Sequence, residues 1–325
     1  MTSGKVLNAL RRTFCASALL LATSAFAQTD SQPLTLIIPY PPGGSADMLA
    51  RPMLPELQKK LGRTVVLDYK AGAGGTIATA ALARSKPDGN TILMVLAAHA
   101  INNALYPSLP YDTRKDFAPV SLVATLPLVV AAPLATPANN MQELIAYAKA
   151  NPGKLNYASQ GNGSVSHIGT EIFKQTTGVD MVHVPYKGSG PAIQDVLAGQ
   201  VQVFISTPPS LMQHVQSGKL KGLAVTGKNR HPGMPNVPTT AEAGLPSFQL
   251  ESWVALYAPA GTPAPVVTKL TNAVKQSLAL PEIKERSDAA GVELRYLGPN
   301  QTDALVKKEL PFWNKAIKAS NITLD

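Results

Sequence analysis

Leu34-Thr35-Leu36-Ile37-Ile38-Pro39, then Tyr40-Pro41-Pro42-Gly43-Gly44-Ser45-Ala46-Asp47, then apolar residues at helical spacing (Met48, Leu49, Met53, Leu54, Leu57, Leu61) decide how this chain folds. An apolar strand that breaks into Pro-Pro-Gly-Gly and enters a helix leaves bare backbone N–H groups at a helix N-terminus. That is a ready anion site. No nucleophile with an adjacent base lies nearby, so the stretch points to binding something acidic rather than to chemistry on it. Asp47 is read as the helix cap that holds the loop's shape.

The same alternation runs outward along the chain. Strands are expected at Thr35–Ile38, Thr64–Asp68 and Thr91–Leu96, with helices from about Asp47 to Leu61 and through about Arg84. The strands are nearly continuous in apolar residues, as when helices cover both faces of a mainly parallel sheet. A second unit repeats the pattern: helix Met141–Ala150, strand Leu155–Ala158, a helix ending near Gly178, strand Met181–Val184, a helix to about Gly199, strand Val201–Ile205, helix Pro208–Ser217 and strand Leu220–Val225. Pro119–Ala132 and Gln249–Ala258 are apolar without helical spacing and read as crossing segments. The C-terminal part, with helices Val266–Leu280 and Asp303–Lys318 around strand Val292–Tyr296, returns to the first unit. Trp313 is read as core, and so is Trp253.

The expected fold is α/β, with two doubly wound lobes joined by two crossings. Residues 28–125 plus 254–325 form lobe 1 and 126–253 lobe 2, with crossings near 120–132 and 249–258. Such lobes can close on a ligand by hinge motion. Ligands of open α/β sheets sit beyond the carboxyl ends of strands. Six Gly/Ser-rich segments fall there: Gly43-Gly44-Ser45, Gly74-Gly75-Thr76 and Ala97-Ala98-His99 on one lobe, and Ser159 to Ser164, Tyr186 to Gly190 and Ser206-Thr207 on the other.

Lys5, Arg11 and Arg12 before the apolar Phe14–Phe26, with Ala25-Phe26-Ala27, read as an export signal (1–27) cleaved after Ala27 into the periplasm. Cleavage leaves 298 of the 325 residues and removes Cys15, the chain's one cysteine. Disulfides, thiolate catalysis and cysteine metal sites are thereby excluded. The leader carries three of the 29 basic residues and none of the 20 acidic ones, so the charge falls from +9 to +6. The excess is dispersed, without basic runs, which argues against nucleic acid.

Gly72-Ala73-Gly74-Gly75-Thr76-Ile77 lacks the third glycine of a dinucleotide fingerprint, Gly161-x-Gly163 has Ser166 in its place, and no Walker sequence occurs, so no cofactor is expected. His167 and Glu171, at i and i+4, have no third metal ligand near and read as a solvent-facing pair. No G-x-S-x-G elbow supports an exported hydrolase.

Ile38 to Asp47, Gly72-Ala73-Gly74-Gly75, Leu109-Pro110-Tyr111-Asp112, Asn156-Tyr157-Ala158-Ser159, His183-Val184-Pro185-Tyr186-Lys187-Gly188, Pro238-Thr239-Thr240-Ala241-Glu242-Ala243-Gly244 and Ala258-Pro259-Ala260-Gly261-Thr262-Pro263 together resemble the substrate-binding proteins of the tripartite tricarboxylate transporter family, the Bug or TctC-like receptors. The resemblance implies a monomeric periplasmic-binding-protein architecture (Venus flytrap, type II-like). It also implies capture of a small carboxylate without catalysis and delivery to large and small membrane permease subunits. A ligand-loaded receptor for a membrane sensor kinase is the alternative.

Carried over, the resemblance puts ligand contacts at Gly43, Gly44, Ser45, Gly75 and Thr76, facing Ser159, Gly163, Ser164 and the Tyr186, Lys187, Gly188 loop. Position at strand ends adds Tyr40, Gly74, His99, Gly161 and Ser206. Ala46 and Ala97-Ala98 stand where family members often carry hydroxyls, which implies either more water bridging or a less polar ligand.

Overall fold

The computed structural model describes residues 32–319 and 322; the expected leader lies outside the described residues. Strand β1 (Leu34–Ile38) is central because nearly every side chain in it is buried, which an edge strand could not satisfy. It pairs in parallel with β2 (Val65–Tyr69) and β3 (Thr91–Leu96), Leu36 lying opposite both Leu67 and Ile92. Helix α1 (Ser45–Leu61) follows β1 and buries Leu49, Met53, Leu57 and Leu61, one stripe at a spacing of four. Gly62, at φ 69°, ends it in the left-handed conformation that glycine adopts without strain. Helix α2 (Thr76–Ala83) links β2 to β3, and α3 (Ala98–Leu105) follows β3 at once.

The long strand β4 (Phe117–Pro127) then leads through Leu128 into β5 (Val129–Pro133), which belongs to a second sheet. That sheet is built from α4 (Met141–Ala150), β6 (Leu155–Ser159), α5 (Val165–Thr177), β7 (Met181–Pro185), α6 (Ser189–Leu197), β8 (Val203–Ser206), α7 (Pro208–Gln216) and β9 (Leu220–Val225), in strand order β7-β6-β8-β5-β9. The chain returns through β10 (Glu251–Pro259), followed by α8 (Ala264–Leu278), α9 (Pro281–Ala289), β11 (Glu293–Leu297) and α10 (Pro299–Ala319). The first sheet is ordered β11-β4-β10-β3-β1-β2.

The molecule is thus a two-lobed α/β fold, but its sheets are mixed rather than mainly parallel. β10 runs antiparallel to both β3 and β4, β11 antiparallel to β4, and β5 antiparallel to β8 and β9. The cause is topological: β4 carries the chain out of the first sheet and β10 carries it back, so side by side they oppose. Two helices had no counterpart in the sequence reading, α3 and α9. Trp253 of β10 and Trp313 of α10 are both buried, and both donate their indole N–H to Glu309 Oε2, at 2.7 and 3.0 Å. No helix among the described residues is long and apolar enough to cross a membrane.

Candidate functional site

The loops after β1, β2, β6 and β7 meet between the lobes. The lobes touch there: Ser45 Oγ lies 2.7 Å from Thr207 Oγ1. A Cβ on Gly74 would fall 2.6 Å from the Asn162 carbonyl, and one on Gly188 would fall 3.1 Å from Pro41 Cδ. The first is an approach that only a residue without a side chain permits, and at Gly188 the φ of 100° favours glycine as well.

Around these contacts lie two cavities with shared walls, Tyr40, Pro41, Gln160 and Gly188. The larger, about 610 Å³, is lined by Ala71 to Gly74, Tyr106, Gly161, Asn162 and Pro185 to Lys187 as well. The smaller, about 50 Å³, is a nook reached by Gly44 and Ser45 from one lobe and by Ser189, Gly190 and Pro191 from the other. Gly44 is the N-cap residue of α1 and Gly188 that of α6, so two helix N-termini from different lobes flank the nook. In α1 the first helical bond is Met48 N–H to the Gly44 carbonyl, which leaves the N–H groups of Ser45, Ala46 and Asp47 without a helical partner. Among the described residues, Lys187 is the one charged side chain lining either cavity, and no carboxylate does.

Asp47 is turned away from the nook. It sits in the first turn of α1, three residues past the cap position held by Gly44. Its carboxylate accepts the Gly43 N–H at 2.8 Å, the Arg51 Nε–H at 2.9 Å and the Tyr69 hydroxyl. Burial opposes its ionisation, but the bonds from Arg51, Tyr69 and Gly43 outweigh that and hold it below the usual carboxylate range. Its work is the expected one, fixing the loop.

Of the expected residues, Tyr40, Gly74, Gly161, Tyr186, Lys187 and Gly188 line the larger cavity, and Gly44 and Ser45 the nook. Burial keeps the Tyr40 hydroxyl protonated, and the neighbouring Tyr106 adds to this. Tyr186 donates its hydroxyl to Asp195 at 2.6 Å and is pushed up to about 12, by burial first and then by that carboxylate.

The others shape the loops from behind. Gly43 gives its N–H to Asp47, and Gly75 gives its N–H to the Gly72 carbonyl. Thr76 donates both N–H and hydroxyl to the Ala73 carbonyl. Ser164 is the N-cap of α5, its hydroxyl accepting the His167 N–H at 3.3 Å. Ser206 is fully buried and receives Gln160 Nε2 at 3.3 Å. Ser159 Oγ accepts the Gly161 N–H at 3.1 Å and meets His183 Nε2 at 2.7 Å. Gly163 lies against α3, where a Cβ would fall 2.6 Å from Asn102 Oδ1.

His99 is not in the cleft wall. Because α3 begins at Ala98, its ring turns into the core, 3% exposed, between Phe117 (5.2 Å, edge-on) and Tyr257 (5.1 Å). Nor do His167 and Glu171 face solvent. His167 stacks on His183, and Glu171 accepts the Tyr157 hydroxyl at 2.5 Å and Lys174 Nζ at 3.0 Å. No cluster that could hold a metal occurs among the described residues.

Gln160, Asn162, Tyr106 and Pro41 were missing from the expected set. Gln160 stood in plain view between Ser159 and Gly161, and its Nε2 bonds to Ser189 Oγ at 2.7 Å. Tyr106 could have been found only by recognising α3, whose C-cap residue it is.

The tripartite tricarboxylate transporter family receptor profile matches residues 49–322. Protein BugT of Bordetella pertussis is 36% identical over 313 residues, covering 96% of each chain. The structure of periplasmic binding protein BugD superposes with a TM-score of 0.85 at 35% identity, covering 90% of this chain and 98% of that one. Rhodopseudomonas palustris Rpa4515 with adipate gives 0.86 at 34% identity, covering 90% and 98%. MatC from Rhodopseudomonas palustris with bound malate gives 0.84 at 33% identity, covering 88% and 99%.

Proposed function

This chain belongs to the tripartite tricarboxylate transporter receptor family, periplasmic solute-binding proteins, and we propose that it captures a small carboxylate between its lobes and hands it to a membrane permease. One observation carries this reading: two helix N-termini from different lobes flank a nook whose walls, among the described residues, hold no carboxylate. Helix dipoles and unpartnered N–H groups both favour negative charge there. Each amide donated to a carboxylate contributes about 1.5–3 kcal/mol net. A ligand touching both N-termini binds the closed arrangement better than the open one, and so shifts the population toward it.

The rest of the molecule would sit in the larger cavity, against Tyr40, Tyr106 and Tyr186, with the side chain of Lys187 at its rim. The adipate and malate held by two similar receptors support a carboxylate as the recognised group. Among the described lining residues no nucleophile stands beside a base, which fits a site that binds and releases its ligand.

The test is a thermal-shift screen of the mature protein, refolded to strip carried ligand, against aliphatic acids, aromatic acids and their uncharged amides. Stabilisation by one class of acid, with calorimetry at one ligand per chain, is the expected result. Stabilisation by amides alone would overturn the carboxylate reading.

A further inference from the structure

Two histidines stand directly behind the loop that forms one wall of the cleft, and neither touches the cavity. His167, in the first turn of α5, and His183, on β7, stack with ring centroids 4.1 Å apart and planes 4° from parallel. Tyr157 of β6 stacks on the other face of His183 at 4.8 Å. Each histidine meets the loop by a ring nitrogen. His167 Nδ1 accepts the Gly163 N–H at 3.2 Å, and His183 Nε2 meets Ser159 Oγ at 2.7 Å. The Gly163 bond fixes a tautomer: Nδ1 is an acceptor, so the His167 proton is on Nε2. Ser159 Oγ accepts the Gly161 N–H and shares one proton with His183 Nε2, a hydroxyl having a lone pair to spare for either arrangement. His167 therefore serves the loop as an acceptor, and His183 as the hydrogen-bond partner of Ser159.

We propose that His167 and His183 are positioning residues for ligand capture: as a neutral stacked pair they hold the Ser159–Ser164 loop in the shape that closes on the other lobe. The point of action is Gly163. Its amide is tied to His167, and its Cα faces Asn102 and Leu105 of α3 so closely that a Cβ would fall 2.6 and 3.0 Å from them. Asn102 in turn donates to the Gly74 carbonyl at 2.9 Å, on the opposite wall of the larger cavity. Protonating His167 at Nδ1 sets an N–H against the Gly163 N–H and releases the loop where the lobes meet.

The surroundings keep both rings neutral. Burial comes first and lowers each to about 4; Lys174 of α5 lowers both, His167 lowers His183, and Glu171 of α5 pulls His183 the other way. The other titratable group on the stack, Tyr157, stays protonated through burial and its bond to Glu171. For a histidine lowered in the folded state the latch is complete above the ordinary value near 6.5. It is given up as pH falls through about 4.

This rests on the receptor reading only in taking the cavity as the ligand's place, so it is tested on ligand-free mature protein. Histidine ring nitrogens and the Gly163 amide are followed by 15N NMR from pH 7.5 to 3. We expect the Gly163 amide to move with the midpoint of His167, and not to titrate in H167N, where Asn Oδ1 offers an acceptor that takes no proton. In H167F, which keeps a stacking ring but no acceptor, Gly163 amide exchange at pH 7 should quicken roughly tenfold. S159A should quicken exchange at Gly161 in the same way. A Gly163 amide that stays still while His167 titrates, in wild-type protein where folding is not in question, overturns the proposal. So does unchanged exchange in H167F. Failure of every acid in the ligand screen would instead count against the carboxylate reading and leave this result untouched.

Discussion

Leu128 and Thr226 are bonded to each other twice: the Thr226 N–H donates to the Leu128 carbonyl at 2.8 Å, and the Leu128 N–H donates to Thr226 Oγ1 at 2.8 Å. The Thr226 hydroxyl passes its own proton to the Leu250 carbonyl. Leu128 is where the chain leaves the first sheet, Thr226 follows the last strand of the second, and Leu250 precedes the return strand β10. One hydroxyl thus ties the outgoing passage at Leu128 to both ends of the returning segment, in a site 1% exposed. Thr226→Val keeps the shape but strands a buried N–H and a buried carbonyl. Urea unfolding should show a loss of about 2–4 kcal/mol, and Thr226→Ser should recover most of it. A valine variant as stable as wild type would mean the knot contributes nothing.

Asp47 supports the nook at a distance. Asp47→Ala frees the Gly43 N–H and removes the partner of Arg51 and Tyr69. Arg51 is half-exposed, so its share is screened, and a total loss of about 1–2 kcal/mol is expected. The depressed carboxyl dictates the sign. Its contribution is present above the ordinary value near 4 and disappears as pH falls through the lower folded value. The alanine variant should therefore converge with wild type in stability only at the most acidic pH, which chemical denaturation at stepped pH can follow.

His99 sits between Phe117 and Tyr257 with both ring nitrogens unpartnered among the described residues. Burial lowers it to about 4. The unfolded chain takes up this proton near pH 6.5 and the folded one does not, so stability falls by roughly 3 kcal/mol as pH drops from 6.5 to 4. His167 and His183 add to the same slope, in the same direction. His99→Phe removes one proton from it and relieves a buried polar ring. At pH 7 the variant should be more stable by about 1 kcal/mol, with a shallower acid limb. An unchanged limb would show that His99 is not buried uncharged.

These features differ in how far the sequence reveals them. The strands were legible because runs such as Thr91–Leu96 are apolar throughout and end at Gly, Pro or Asn. The loops were legible because Pro41-Pro42-Gly43-Gly44 cannot continue either element. Helix α3 was not. Ala98 to Leu105 is only eight residues, has no side-chain cap and follows β3 with only Ala97 between, and its polar His99 and Asn102 are buried rather than exposed. That omission put His99 in the cleft and hid Tyr106. Helix α9 carries too little apolar surface, chiefly Ile283, to stand out. At the site, glycine content marked the right loops but not their free amides. Gly75 and Gly161 spend theirs inside their own turns, and only the folded hydrogen bonds reveal it.

Gly163 offers the sharpest separation of closure from folding. Its φ of 76° and its contact with Asn102 both exclude a side chain, but for different reasons. The backbone strain of Gly163→Ala is local and costs about 1 kcal/mol. The clash with Asn102 Oδ1 at 2.6 Å exists only while the lobes touch, because Asn102 belongs to α3 of the first lobe and Gly163 to the second. Opening the cleft removes it. Gly163→Ala should therefore melt within a few degrees of wild type yet bind the best acid of the ligand screen at least roughly tenfold more weakly. In small-angle scattering with that acid, it should also be more extended than the wild-type complex. Equal affinity and equal dimensions would place the Gly163–Asn102 contact outside the closing surface. Replacing Asn102 with Ala in the same variant should restore part of the lost affinity, since the atom that the new Cβ meets is then gone.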